Sequence, residues 1–149
     1  VQSFEEAKQI LIYYTLRWEI EIFFKVLKSG CKVEEIRLEK MDRLLPGLAL
    51  YMAVSCRIMF LLKVDNLYPN ISCELIFTHF EWKSVYMAIN KQRVPEAPPP
   101  LREIIICIAK LGGYLNRTND PPPGPKAMWI GIQKMHMLAL GFELSDSIK

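Results

Sequence analysis

The sequence has little of what metal and disulfide sites need. Its 149 residues include only two histidines, and its four cysteines are scattered without a C-x-x-C pair (Cys31, Cys56, Cys73 and Cys107). Structural zinc sites draw their four ligands from closely spaced cysteines and histidines, so the sequence argues against a zinc site. Scattered cysteines of this kind are typical of reduced, buried thiols in a cytoplasmic protein.

The composition also lacks a strong charge bias. Hydrophobic residues make up 51% of the chain, which is high for a soluble domain and sufficient for a real core. The net charge of +3 permits a nucleic-acid partner without requiring one. The chain begins with valine and shows no signal peptide. We therefore expect a piece of a longer protein, located in the cytoplasm.

One predicted helix, residues 3–29, carries most of the chemical information. Its polar residues recur with helical spacing, at Tyr14, Arg17, Glu21, Lys25 and Lys28. At 3.6 residues per turn these five side chains form one polar stripe, which covers roughly a quarter of the helix circumference. Most of the remaining circumference is apolar, the reverse of an ordinary surface helix. We therefore expect the helix to be buried on most sides and its polar stripe to line a cleft.

A plainer interpretation of the polar stripe stays open. Arg17 and Glu21, and also Glu21 and Lys25, are four residues apart. They can therefore form ion pairs on a solvated face, each worth roughly 0.2–0.5 kcal/mol. The burial expected for the rest of the helix favours the cleft, because burial makes charges costly unless they have a purpose.

The order and spacing of the stripe are similar to a known signature. A tyrosine, an arginine, a glutamate and a lysine, separated by two, three and six residues, resemble the Y-R-E-K signature of bacterial cut-and-paste DDE transposases of the Tn5 type (Tyr14, Arg17, Glu21 and Lys28). A second patch resembles the same family near the other end of the chain, at IAKLGGY in residues 108–114 and then at Met128, Trp129 and Gly131.

The resemblance implies a fold and a role for each residue of the stripe. The fold would be mainly α, with the last helix of a ribonuclease-H-like catalytic core followed by an α-helical C-terminal bundle. Glu21 would be the third catalytic carboxylate and a metal ligand. Tyr14, Arg17, Lys25 and Lys28 would bind DNA. Arg17 would hold a phosphate with its planar fork, and Tyr14 would donate a hydrogen bond nearby.

The two aspartates that complete the family's catalytic site follow strands of a sheet, and no aspartate here has that context. All four lie in predicted loops or helix starts (Asp42, Asp65, Asp120 and Asp146). Metal-assisted cleavage of DNA needs several carboxylate oxygens around hard cations. We therefore expect Mg²⁺ or Mn²⁺ in the full-length protein, no metal bound by this chain alone, and no cleavage by it alone.

The rest of the chain predicts further helices separated by proline-rich loops. Residues 1–63 are predicted to end the catalytic domain, and residues 64–149 to form a helical oligomerisation domain. A second long helix, residues 41–63, should pack on the first. Its segment 44–62 is long and apolar enough to span a membrane, but Arg57 lies inside it, which favours a buried core helix. No membrane partner is expected.

The last predicted helix, residues 126–140, is apolar around too much of its circumference for one neighbour to cover. The resemblance offers a reason, because the family's C-terminal helix is the element through which two protomers meet. A second copy is therefore an expected partner, besides transposon-end DNA. The predicted dimerisation residues are Met128, Trp129, Ile132 and Met135. Packing within the domain alone is an equal alternative.

Two functions are compatible with these features. The first is the C-terminal part of a DNA transposase that supplies the third carboxylate, the phosphate contacts to the transposon end and a self-association domain for a homodimeric synaptic complex. The second is a non-catalytic helical interaction module derived from a truncated transposase.

Overall fold

The computed structural model describes residues 3–147, which form five α-helices. The helices are α1 Phe4–Lys25, α2 Met41–Leu67, α3 His79–Asn90, α4 Leu101–Leu111 and α5 Pro125–Ser147. The described residues contain no strand, and the expected mainly α fold is confirmed. The chain divides into two compact units between Cys56 and Arg57, inside α2. The division after residue 63 stays a prediction.

The first unit begins with α1, whose N-terminus is capped by Ser3. The Ser3 Oγ accepts a hydrogen bond from the Glu6 N–H at 3.2 Å. None of the 22 residues of α1 is buried, and Trp18 is 61% exposed. The prediction that this helix is buried on most sides is therefore wrong, because nothing else described in the first unit covers its apolar faces.

The small core of the first unit lies just after α1. The helix continues into a π-helical turn, Val26–Gly30, in which the Cys31 N–H donates to the Val26 carbonyl at 2.8 Å. Val26, Leu27 and Cys31 are buried. The Cys31 Sγ lies 3.3 Å from the Oγ of Ser55, a buried residue of α2. This contact joins the π-helical turn to the part of α2 that belongs to the first unit.

Helix α2 differs from the predicted core helix. Within residues 3–147 it is the one helix that is long and apolar enough, by length and composition, to cross a membrane. Only 17% of its most apolar window is buried. The prediction of a buried core helix is therefore wrong, while the packing of α2 on α1 stays a prediction. A single helix of this kind is weak evidence for a membrane span.

Helices α3, α4 and α5 form the core of the second unit. Helix α3 begins with a capping box made by Thr78 and Glu81, which accept hydrogen bonds from each other's backbone N–H. Helix α5 packs against both α3 and α4. The buried residues of α4 form a nearly continuous apolar run: Leu101, Ile104, Ile105, Cys107, Ile108 and Ala109. The predicted helical bundle is therefore present.

Two glycines allow α4 and α5 to approach each other closely. A Cβ atom added at Gly131 would lie 2.0 Å from the carbonyl oxygen of Ile108, and one added at Gly112 would lie 1.9 Å from that of Ala127. Both distances are far below a van der Waals contact. The packing of α4 on α5 therefore requires residues without a side chain at both positions.

Two buried carboxylates join the end of α2 to the bundle. The Asp65 side chain, 6% exposed, accepts a hydrogen bond from the Arg102 Nε at 2.7 Å. The Glu81 side chain, 10% exposed, lies 3.4 Å from the Arg57 Nη2 and 3.5 Å from the His136 Nδ1. Because loss of a partner would leave a buried charge uncompensated, these pairs fix how α2 meets α3 and α4.

The cysteines differ in their expected reactivity. Burial raises the pKa of the Cys73 and Cys107 thiols from 9.0 to about 11, and it also raises the pKa of Cys31. Cys56 is exposed.

Since the thiolate is the reactive form, we expect Ellman's reagent to modify the exposed Cys56 thiol quickly and the three buried thiols only after unfolding. The Cys56→Ser variant should lose the fast phase, and a fast phase that survives this change would contradict the assignment.

The raised pKa values of the Cys73 and Cys107 thiols also make the stability of the folded chain depend on pH. A folded-state pKa above the unfolded value favours the protonated thiol in the folded chain. The resulting contribution to the free energy of unfolding is fully present below about pH 9 and is lost as the pH rises toward 11.

Candidate nucleic-acid interface

The polar stripe lies on an open surface of α1. Tyr14 is 59% exposed, and the side chains of Arg17 and Glu21 are 66% and 50% exposed. The predicted cleft is therefore not formed by the described residues. The plainer interpretation, a solvated face with ion pairs, describes the stripe as it stands in this structure.

Arg17 is the centre of the contacts within the stripe. Its Nη2 atom donates a hydrogen bond to the Glu21 Oε1 at 3.2 Å, which forms an ion pair between residues one helical turn apart. Its guanidinium carbon lies 5.7 Å from the centroid of the Tyr14 ring, within the range of a cation–π contact. Tyr14, Arg17 and Glu21 are thus brought together as their spacing predicted.

The lysines at the end of the stripe have a different setting. Lys25 is exposed in the last turn of α1. Lys28 lies in the π-helical turn, where each hydrogen bond spans one residue more than in an α-helix, so its direction departs from the regular spacing used for the prediction. The Lys28 Nζ lies 3.4 Å from the Glu34 Oε1, and both side chains are well exposed. Both lysines are accessible to a phosphate group.

The described residues do not fit a divalent metal ion by themselves. Glu21 is the one carboxylate of the stripe, and residues 3–147 contain no group of three or more histidine, cysteine, aspartate or glutamate side chains placed to hold a metal. Mg²⁺ sites need more oxygen ligands than one carboxylate offers. The structure therefore supports Glu21 only as an accessible carboxylate.

The predicted dimerisation residues lie mostly inside the chain. Met128, Ile132 and Met135 are buried, at 0%, 4% and 0% exposure, on the side of α5 that packs against α3 and α4. Trp129 is half-buried. Burial of these three side chains disfavours a direct contact with a second copy, which could reach them only if the bundle opened, and their role in dimerisation stays a prediction.

The opposite side of α5 carries an apolar surface that the sequence interpretation missed. We define the outer face of α5 as Met137, Leu140, Gly141 and Leu144, which are spaced like neighbours on one side of a helix. The three large side chains are 73%, 54% and 58% exposed. A shallow depression beside Met137 is lined by Ala88, Leu111 and Leu138 and also by two polar residues, Gln133 and Lys134. The same spacing was present in the sequence, but it did not reveal which side faces the bundle.

Two models of known protein families match the chain. A family model described as the transposase DDE domain matches residues 2–56, and one described as the Tn5 transposase dimerisation domain matches residues 53–148. Transposases are generally soluble proteins that act on DNA, and DDE transposases generally use a divalent metal. The dimerisation match covers more than half of the chain, which therefore belongs to the Tn5-type DDE transposases and carries a self-association domain.

Proposed function

We propose that the polar stripe of α1 binds the backbone of transposon-end DNA and that the outer face of α5 joins two copies of the chain, in the cytoplasm, in a homodimeric synaptic complex. The observation that carries the DNA half is the exposed Tyr14–Arg17–Glu21 cluster in the part of the chain that matches a DDE domain. Exposed cations on one helix face suit a ligand that presents successive phosphates.

The basic residues have distinct tasks in this proposal. Arg17 presents a planar fork of N–H donors, which matches two phosphate oxygens, and its open position leaves donors free of Glu21. Lys25 and Lys28 act as point charges toward neighbouring phosphates. Their pairing with DNA replaces weak surface ion pairs, such as that between Lys28 and Glu34, which contribute at most about 1 kcal/mol.

Glu21 is proposed as one carboxylate of a composite catalytic site. Its oxygens are accessible from solvent, and carboxylate oxygens are the ligands that Mg²⁺ and Mn²⁺ prefer. The further carboxylates of such a site would come from outside the described residues. In the ribonuclease-H-like arrangement that the resemblance implies, they would be the family's two aspartates.

Self-association is proposed to be symmetric about a two-fold axis between Leu140 and Gly141. The outer face of α5 is apolar and contiguous, and a Cβ atom at Gly141 would meet nothing within 4 Å in its own chain. A glycine at the crossing point lets two helices approach closely, and an isologous dimer brings residues near the two-fold axis against their own copies. In antiparallel α5 helices, Met137 of one copy then packs against Leu144 of the other.

The DNA half is tested by the salt dependence of binding to a short fluorescent duplex. The logarithm of the binding constant K falls as the logarithm of the salt concentration rises. Each lost phosphate contact should make this negative slope shallower by about 0.9. We expect Arg17→Gln and Lys28→Gln each to weaken binding and to make the slope shallower by about that amount. Lys8→Gln, which removes the same charge from an exposed position of α1 off the stripe, is the matched control. Equal losses in all three variants would contradict the proposal.

A further inference from the structure

The orientation of Arg17 depends on contacts from two directions along α1. Tyr14, three residues before it, places its ring 5.7 Å from the guanidinium carbon. Glu21, four residues after it, accepts a hydrogen bond from the Nη2 atom at 3.2 Å. Together, these two contacts restrict both the orientation of the guanidinium plane and the position of the guanidinium group along the helix. An arginine on an exposed helix without them would sample many rotamers.

The ring and the hydroxyl of Tyr14 would do different things. The hydroxyl could donate to a DNA phosphate, which is the role that the resemblance implies. The ring already contacts Arg17 through its face, an interaction that any aromatic residue can make and that needs no hydroxyl. The contact is made in the chain without DNA, so it can order Arg17 before a phosphate arrives and reduce the entropy lost on binding.

We propose that Tyr14 is a positioning residue, whose aromatic ring rather than its hydroxyl holds the Arg17 guanidinium, together with Glu21, in the orientation that receives a phosphate. The consequence for DNA rests on the proposed function above. The positioning itself does not, because it concerns two side chains of the free chain.

The free chain gives the first test, by nuclear magnetic resonance of isotopically labelled protein. A guanidinium over an aromatic face should move the Arg17 side-chain proton signals upfield through the ring current. We expect this upfield position in the wild type and in Tyr14→Phe, and its loss in Tyr14→Leu. Circular dichroism on the same samples checks that all three are equally helical. An Arg17 signal that does not move in Tyr14→Leu would overturn the proposal.

DNA affinity for the same short duplex gives the second test. A cation–π contact at an exposed site corresponds to a loss of about two- to fivefold in affinity when the ring is removed. We expect that loss in Tyr14→Leu, none in Tyr14→Phe, and no further loss when Tyr14→Leu is added to Arg17→Gln. Such non-additivity is the sign that Tyr14 acts through Arg17.

The outcomes separate the two proposals. If Tyr14→Phe weakens binding as much as Tyr14→Leu, the hydroxyl is the contact and the positioning role is overturned. If Arg17→Gln leaves DNA affinity unchanged, the proposed function of the stripe is overturned, while the ring-current test still decides whether Tyr14 orients Arg17.

Discussion

Replacing both Met137 and Leu144 with aspartate is expected to convert a dimer of the chain into a monomer without loss of helical content. Both side chains are exposed on the outer face of α5, at 73% and 58%, so the charges cost little in the separated chain. In the dimer, each aspartate would be buried against apolar side chains, which is strongly unfavourable. Light scattering on a size-exclusion column should give twice the 17.3 kDa chain mass for the wild type and one chain mass for the variant.

Met135→Asp is the matched control on the same helix. Met135 is fully buried on the side of α5 that packs within the chain, so its replacement should unfold the second unit rather than release an intact monomer. Circular dichroism distinguishes the two outcomes. If Met135→Asp gave a folded monomer and the double variant of Met137 and Leu144 stayed a dimer, the outer face of α5 would not be the interface. The interface would then be formed by the residues first predicted from the sequence.

Replacing Gly131 with alanine is expected to destabilise the second unit strongly. The new Cβ atom would lie 2.0 Å from the Ile108 carbonyl oxygen, which is backbone and cannot rotate away. Helices α4 and α5 must separate, with a cost at the upper end of the usual range for overpacking, about 3 kcal/mol. In a unit of this size that corresponds to a Tm lower by roughly 10–20 °C, measured by thermal unfolding.

Gly141→Ala, in the same helix, separates this steric effect from helix propensity. A Cβ atom there meets nothing within 4 Å in the chain, and alanine is favoured over glycine in a helix by about 1 kcal/mol. The Tm of Gly141→Ala, measured at concentrations where the chain is monomeric, should therefore stay the same or rise. Similar Tm losses in both variants would show that α4 and α5 do not cross as closely as described.

The sequence was sufficient for features set by local spacing. The positions of Tyr14, Arg17 and Glu21 determine that they share one helix face, and the structure brings them into contact. The further helices predicted between the proline-rich loops are also present, α4 among them. For the polar stripe the relevant partners are a few residues away, so helical periodicity carries the information.

Features set by distant partners were not predictable in the same way. The apolar sides of α1 suggested burial, but burial needs a neighbour, and none described in the first unit covers them. Helix α5 is apolar on two sides, and only the positions of α3 and α4 reveal that Met135 faces inward and Met137 outward. Lys28 lies in a π-helical turn, which the regular spacing of the signature did not indicate.

Disulfide cross-linking tests whether two copies meet across the outer face of α5 around Gly141. In a Cys56→Ser background, Gly141→Cys should form an intermolecular disulfide quickly under mild oxidation, because an antiparallel dimer places the two thiols near its axis. Lys126→Cys, about 22 Å along the same exposed side of α5, should cross-link slowly. Equal rates for the two variants, or no cross-link at Gly141, would show that the two copies do not meet at this face of α5.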